Sequence, residues 1–545
     1  MKRTLQTILV TLISLLLSLS LFIGCAPDAN TGEDDSSELS SSESNTPGET
    51  PFETPDSPES TPESTPAETP ADTPAETPTE TPTETPVETP VETPADTPTE
   101  TPTETPPEEP TVSNRWTVGF ASREIAIPQN PSTPLYIAGY NQGVEISGVL
   151  DLQRANAVWL DADDEAGGII IISIDCVGLA SGYVGEIRNR LADFADESGC
   201  SAINVVSTHT HAGLDTFGLW GPAGVDGKNP EFMENLVSAA VEAAKEAYAD
   251  RSDGTLFYSK VRTSNMLRDS RLPTVMDPEL YQLRFKPEDS SQNGIRVVVY
   301  GAHPESLRGA NTLLSRDYPG EMSDLLKAET GDDMLFLPGP IGGLIMTKEF
   351  ISPFNAVDNL KTTGKKLTDY LLSIEEEDET QVLSQLTFVK EALEVPVENG
   401  VFKLYKSLGI LGNEIYTDSR GNVIVKSEIN LISLGGKSGI LFGLIPGEIF
   451  PELVRGVGLK ATDPTPLNDL AAEAGYQNLI TVNLANDELG YIVPPSDFIV
   501  HPTNPYFQRY EVNGEDHYEE TNSVGKQCAA KIAEAFASAL AKLNE

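Results

Sequence analysis

The stretch "INVVSTHTHAG", Ile203 to Gly213, runs from a series of β-formers straight into two histidines one residue apart. The 545-residue chain has only five histidines, so His209 and His211 spend two of them within three positions. The apolar run reads as a buried strand. Upstream, "GGIIIISID" is another, ending at Asp175, and between them "SGYVGEIRNRLADFADESG" sets Val184, Ile187, Leu191 and Phe194 on one helical face. Strand, helix, strand predicts an α/β fold, with a mixed β-sheet core, flanking helices and a metal site at the strand ends.

Working outward, Asn229 and Pro230 occupy the cap and first position of a helix to about Tyr248, with Phe232, Leu236, Ala240 and Ala244 as its stripe. Further apolar runs are "GIRVVVYGAHP", "DMLFLPGPIGG", "SGILFGLIPGE" and "QNLITVNLANDELGY", and an amphipathic helix closes the chain over about Val524 to Leu543. Several runs stop in a short turn holding one ligand-type residue: Asp175, His209 with His211, His303, Glu448 and Tyr491. In α/β sheets the loops beyond the carboxyl ends of strands form the ligand crevice, so such residues can converge although far apart in sequence. If the extended conformation persists past Ser207, His209 and His211 point the same way.

Each residue taken singly has a plainer explanation. Glu448 caps the helix "IFPELVRG", Tyr491 is a packed aromatic, and His303 belongs to a loop before proline. Taken together they form a donor set of imidazoles and a carboxylate, which suits Zn²⁺ with one position left for water. Asp175 either orients a ligand histidine or is buried structure. His501 and His517 fall in a polar segment and read as surface or rim residues.

The ends of the chain have a different character. Lys2 and Arg3 precede an uncharged apolar stretch ending at Gly24-Cys25, the pattern of a lipoprotein signal peptide over 1–25, with Cys25 lipidated and the protein anchored to the outer face of the cell membrane. An uncleaved membrane anchor is the alternative. Residues 26–112 are almost wholly Thr, Pro, Glu, Asp and Ser, with 23 acidic and no basic side chains, nearly half of the formal charge of −48. Such a segment has nothing to bury and predicts a disordered, extended spacer. The remainder, 113–545, is long enough for a sizeable core. It has no Lys/Arg cluster, which excludes a nucleic-acid footprint. Besides Cys25 there are Cys176, Cys200 and Cys528, so no disulfide framework is visible.

The motifs "STHTHAG", "GAHPESL" with "SRDYPGEM", "LIPGE", and "NDELGYIVPPSDF" followed by "YEETNS" resemble the neutral/alkaline ceramidase family in order and spacing. "GYNQG" and "DLQRANAVWL" fit the start of the same catalytic domain, and the likeness covers nearly all of Trp116 to Glu545. The family consists of zinc-dependent amidases that cut the N-acyl bond of ceramide. The resemblance implies His209, His303, Glu448 and Tyr491 as zinc ligands, with Glu488 replacing Tyr491 if the ligand lies three residues earlier. It implies His211 as proton carrier or oxyanion stabiliser; in the expected mechanism His211 or Tyr491 is the donor to the oxyanion.

Two departures from the family stand out. At the place of the family's serine motif the chain reads "GPIGGLIMT", with Gly343 and Ile345 where aspartate and serine stand in the family. The family's C-terminal immunoglobulin-like domain is also expected to be missing. The expected function is hydrolysis of an amide, on a lipid-like acyl substrate, by metal-activated water. The alternatives are a surface-displayed lipoprotein that binds a ligand without turning it over, and a metallo-esterase acting on another acyl compound.

Overall fold

Gly168–Ile174 is buried along its whole length. Ile169 and Ile171 point to one side, Ile170, Ile172 and Ile174 to the other, and the two sets enter different cores. A strand apolar on both faces must lie between two layers. The computed structural model, which describes residues 114–163, 166–351 and 354–545, supplies both of them. The signal-like segment and the acidic spacer lie outside the described residues.

The first sheet has nine strands among the described residues. In chain order they are β1 (Trp116–Glu124), β2 (Arg154–Asp161), β3 (Gly168–Ile174), β4 (Cys200–Ser207), β5 (Ser252–Arg262), β6 (Glu279–Pro287), β7 (Ile295–Tyr300), β8 (Asp333–Pro338) and the short β9 (Thr380–Gln381). The spatial order is β8-β7-β6-β5-β1-β2-β3-β4, with β9 paired to β5. Only the two edge pairs, β7 with β8 and β3 with β4, run parallel. A second sheet contains β10 (Leu386–Pro396), β11 (Glu414–Thr417), β12 (Val423–Leu434), β13 (Ile440–Leu444) and β14 (Leu479–Val482), in the order β10-β12-β13-β14 with β11 on β12. Its β13 and β14 are parallel.

The helices are α1 (Ser181–Arg190), α2 (Ala192–Ser198), α3 (Pro230–Ala249), α4 (Asp317–Thr330), α5 (Ala356–Leu372), α6 (Gly400–Leu408), α7 (Pro451–Arg455), α8 (Leu467–Glu473) and α9 (Cys528–Leu543). Val158, Ile169, Ile171, Val297 and Leu335 of the first sheet share one core with Ile432, Leu434, Phe442 and Ile480 of the second. The outer face of the first sheet is covered by α3 on one half, and by α4 and α5 on the other. α9 covers the second sheet through Ile532, Phe536 and Leu540. The architecture is thus helix, sheet, sheet, helix. The expected α/β class with flanking helices holds, and the core is two sheets rather than one.

Two helix boundaries differ from the sequence reading. The helix after β3 breaks at Leu191, where φ −97° and ψ 0° end α1 before α2 begins. The last helix starts at Cys528 rather than Val524, because the Val524 carbonyl is already taken by the backbone N–H groups of Glu398 and Asn399. The Asn229 cap forms as read: its side chain accepts from the Phe232 N–H at 3.0 Å.

Phe442 is 1% exposed between the two sheets. Phe442→Ala should therefore lower the unfolding free energy by about 3–5 kcal/mol, read as a shifted urea midpoint, whereas a change near zero would show that the sheets are not packed face to face.

Candidate metal centre

The strand ends deliver the site. β3 and β4 lie parallel, and β4 stops at Ser207, two residues before His209. His209 has φ +69°, a left-handed backbone uncommon for histidine. The extended conformation does not persist, so His209 and His211 converge through a turn rather than by strand alternation. That turn is tied down by His209 N–H to the Cys176 carbonyl (2.9 Å) and His211 N–H to the Pro304 carbonyl (3.0 Å). His303 follows β7 and is bridged to Met346, with its N–H on the Ile345 carbonyl at 2.8 Å. Glu448 and Tyr491, which follow β13 and β14, face each other directly in a two-residue parallel pair. Gly139 sits beneath His211 at φ +105°, where a Cβ would come within 2.6 Å of His211 Cβ and Cγ.

The three imidazoles meet. One ring nitrogen from each of His209, His211 and His303 lies within 4.8 Å of the others, and all three residues are buried. His209 Nε2 is 3.1 Å from His211 Nε2. Glu448 Oε2 is 3.0 Å from His303 Nε2 and 3.5 Å from His209 Nε2, and the Glu448 carboxylate also accepts from the Tyr491 hydroxyl. The outer nitrogens are committed elsewhere: His209 Nδ1 to the Val177 carbonyl at 2.5 Å, His303 Nδ1 to the Ile345 carbonyl at 2.7 Å. A carbonyl only accepts, so both Nδ1 atoms carry hydrogen; neutral His209 turns its Nε2 lone pair toward Glu448, while His303 Nε2, at 3.0 Å, is placed to donate to the carboxylate.

Burial drives the His209 pKa down to about 3, so this ring is neutral at pH 7. Burial also pushes His211 well below the ordinary histidine range. Burial would lower His303 too, but the Glu448 carboxylate outweighs it and raises the ring. Glu448 is held below the usual carboxylate range: burial works against this, and His209, His303 and Tyr491 overcome it. Imidazole nitrogens and a carboxylate thus converge in a buried site whose negative charge is balanced by a proton on His303 or by a cation bound among them. The N, N, O donor set of His209, His303 and Glu448 fits a divalent transition metal, and both ligand imidazoles have the second-side hydrogen bonds that metal-binding histidines use.

Glu488 and Tyr491 both reach the cavity beside this group. Tyr491 is bonded to Glu448, whereas Glu488 accepts the Gly490 N–H at 2.6 Å. Burial, and then the Glu448 charge, raise the Glu488 carboxyl well above its usual range. The cavity is small, about 80 Å³, with Phe217, Leu219, Trp220, Phe402 and Tyr518 as its apolar wall. Ligand pockets commonly hold about 300–1,000 Å³, so only the reacting end of a long substrate fits inside. No serine lines it among the described residues. The segment "GPIGGLIMT" contributes backbone instead: buried Ile345 presents its carbonyl to His303.

Asp175 proves structural: its Oδ2 accepts the Arg154 N–H at 2.9 Å, joining β3 to β2, while carbonyls hold His209 and His303. His517 is a correction. Expected at the surface or rim, it is 2% exposed and joins Glu520 and Arg271 in a buried ion cluster. That cluster anchors Glu519 and Glu520 through Arg271, and with them the neighbouring Tyr518 of the cavity wall. Sequence reading also missed Glu305 and Tyr140. Both lie inside quoted motifs, "GAHPESL" and "GYNQG", and Glu305 is bonded to Tyr140 at 2.5 Å and lies 3.5 Å from His211.

Two outcomes follow from this geometry. Purified protein should hold about one transition-metal ion per chain, and His303→Ala or Glu448→Ala should lose it; unchanged metal content by mass spectrometry in both variants would remove the site. Burial raises the Asp175 pKa to about 7 from 3.8. The folded state therefore binds more protons than the unfolded chain across that window, and this residue's stabilisation falls as pH rises from about 4 to about 7. Asp175→Asn should gain on wild type in urea stability between pH 5 and pH 8; a gap that is constant or shrinks with pH would contradict the assignment.

No protein-family model matches this sequence, and no curated protein matches it either. Solved structures do match. The neutral ceramidase from Pseudomonas aeruginosa is similar at a TM-score of 0.61 and 15% identity, over 79% of this chain and 74% of that one. A ceramidase complexed with C2 is similar at 0.61 and 14%, over 78% and 75%. The resemblance first read from the motifs is thus met at the level of the fold: this chain is a divergent protein with the architecture of the neutral ceramidases.

Proposed function

We propose that this protein is a zinc-dependent hydrolase of an amide bond, acting on a lipid-like N-acyl compound such as ceramide, with water as the nucleophile. The observation that carries this reading is the convergence of His209 Nε2, His303 Nε2 and the Glu448 carboxylate within 3.0–3.5 Å contacts in a buried cavity. The shared fold with proteins named as ceramidases supports the bond type and the lipid-like substrate.

His209, His303 and Glu448 would hold the ion, with Tyr491 bonded to Glu448 beside them. Zinc so held supplies Lewis acidity toward a carbonyl and hydroxide near neutral pH. The chain's own residues do the rest. The apolar wall excludes bulk water and admits the amide end, leaving the acyl chain to run outward. The ring of His211, and the hydroxyl of Tyr491 once it leaves Glu448, are the donors offered to the oxygen that gains charge. His211, beside the ligands and not needed to hold the ion, accepts the proton of the attacking water and passes it to the departing amine. No serine lines the cavity among the described residues, and the proposed route has water attack directly, without an acyl-enzyme.

We further propose that the protein works at the outer face of the membrane, anchored through lipidated Cys25, with residues 26–112 as its reach. That segment lies outside the described residues; within them no helix is long and apolar enough to cross a membrane.

A panel of N-acyl amides and O-acyl esters tests the reaction. Amide cleavage should vanish with a chelator and return with zinc, and His211→Gln should lower kcat by about 10²–10⁴-fold with zinc retained. Chelator-insensitive cleavage, ester-only cleavage, or ligand binding without turnover would each overturn the proposal.

A further inference from the structure

Glu305 and Tyr140 are buried next to the metal centre, and the reaction as described gives them no part. Glu305 is 2% exposed. It follows His303 in a tight turn, Glu305 N–H to the His303 carbonyl at 3.0 Å, so the segment that places His303 also places Glu305. The carbonyl of the intervening Pro304 receives the His211 N–H. The Glu305 carboxylate has one oxygen, Oε2, on the Tyr140 hydroxyl at 2.5 Å. The same oxygen is 3.5 Å from His211 Nδ1. His211 Nδ1 and Glu305 Oε1 are both buried without a hydrogen-bond partner. The Tyr140 ring packs edge-on against the His211 ring, centroids 5.3 Å apart, and Gly139 allows that approach because it has no Cβ.

The proton on His211 can sit on either nitrogen, and the surroundings decide which. On Nε2 it would point at His209 Nε2, 3.1 Å away. That acceptor is lost once His209 Nε2 ligates a metal, and Nδ1 would then turn a lone pair toward a buried carboxylate. On Nδ1 the proton faces Glu305, and the Nε2 lone pair is left for the cavity. We infer that Glu305, braced by Tyr140, is a positioning residue that fixes His211 as its Nδ1–H tautomer and sets its ring orientation in the metal-loaded protein. This rests on the reading that His209 is a ligand. It extends that reading by adding two residues that act through His211 without touching the ion, in the manner of a carboxylate behind a catalytic imidazole.

The test is long-range ¹⁵N–¹H correlation NMR of the full chain labelled at its five histidines, with His211→Gln assigning the signal and zinc content measured on the same samples. In zinc-loaded wild type, His211 should show Nδ1–H. Removing zinc should move the proton to Nε2, toward His209. Glu305→Gln should shift zinc-loaded His211 toward Nε2–H and lower kcat by about 10–100-fold, with KM, zinc content and melting temperature unchanged. Should Glu305→Gln fail to fold, Tyr140→Phe removes only the bracing hydroxyl and should give a partial shift. Zinc bound with His211 as Nε2–H in wild type would overturn the inference alone, as would a tautomer and kcat indifferent to whichever variant folds. Absence of zinc binding in wild type would instead defeat the hydrolase reading, and this inference with it.

Discussion

Two imidazole nitrogens and a carboxylate point at one another in a buried site. That concentration of donors at His209, His303 and Glu448 is the constraint on which the site depends. Left without positive charge, it would cost the fold several kcal/mol, as buried unpaired polar groups do. The backbone spends effort to create it: His209 is held at φ +69°, Glu448 and Tyr491 are paired residue to residue, and Gly139 gives up a side chain so that His211 can sit close. Strain of this kind persists where the surrounding structure determines it, and it clusters at functional sites.

The two-sheet architecture explains why residues so far apart in sequence can meet. Parallel pairs sit at the edges of the first sheet and at β13–β14 of the second, and the ligand-type residues follow the carboxyl ends of these strands. The first sheet contributes the histidines and the second contributes Glu448 and Tyr491. The site therefore exists only when both sheets are docked, which ties the chemistry to the Phe442–Ile171 core between them. The ion cluster at Arg271 adds a further tie, holding the segment of Tyr518 against the cavity.

Much of this was legible in the chain. β3 and β4, α3 with its Asn229 cap, and the habit of ending strands on a ligand-type residue are local signals, and local signals survive folding. Tertiary features were hidden. Sequence periodicity assigns strands but does not say which sheet they join, so one sheet was read where two stand. The left-handed turn at His209 carries no glycine to announce it. The burial of His517 comes from an arginine 246 residues away, and Glu305 gains its place from a histidine turn and a tyrosine outside its own segment. Motif resemblance pointed to the fold that the solved ceramidase structure shares at 15% identity.

Anomalous diffraction at the zinc edge, on crystals of the protein grown without chelator, tests the central claim most directly. A single strong peak about 2.0–2.2 Å from His209 Nε2, His303 Nε2 and a Glu448 oxygen is the predicted result. A map without that peak, with His303 bonded straight to Glu448 in zinc-replete buffer, would contradict it.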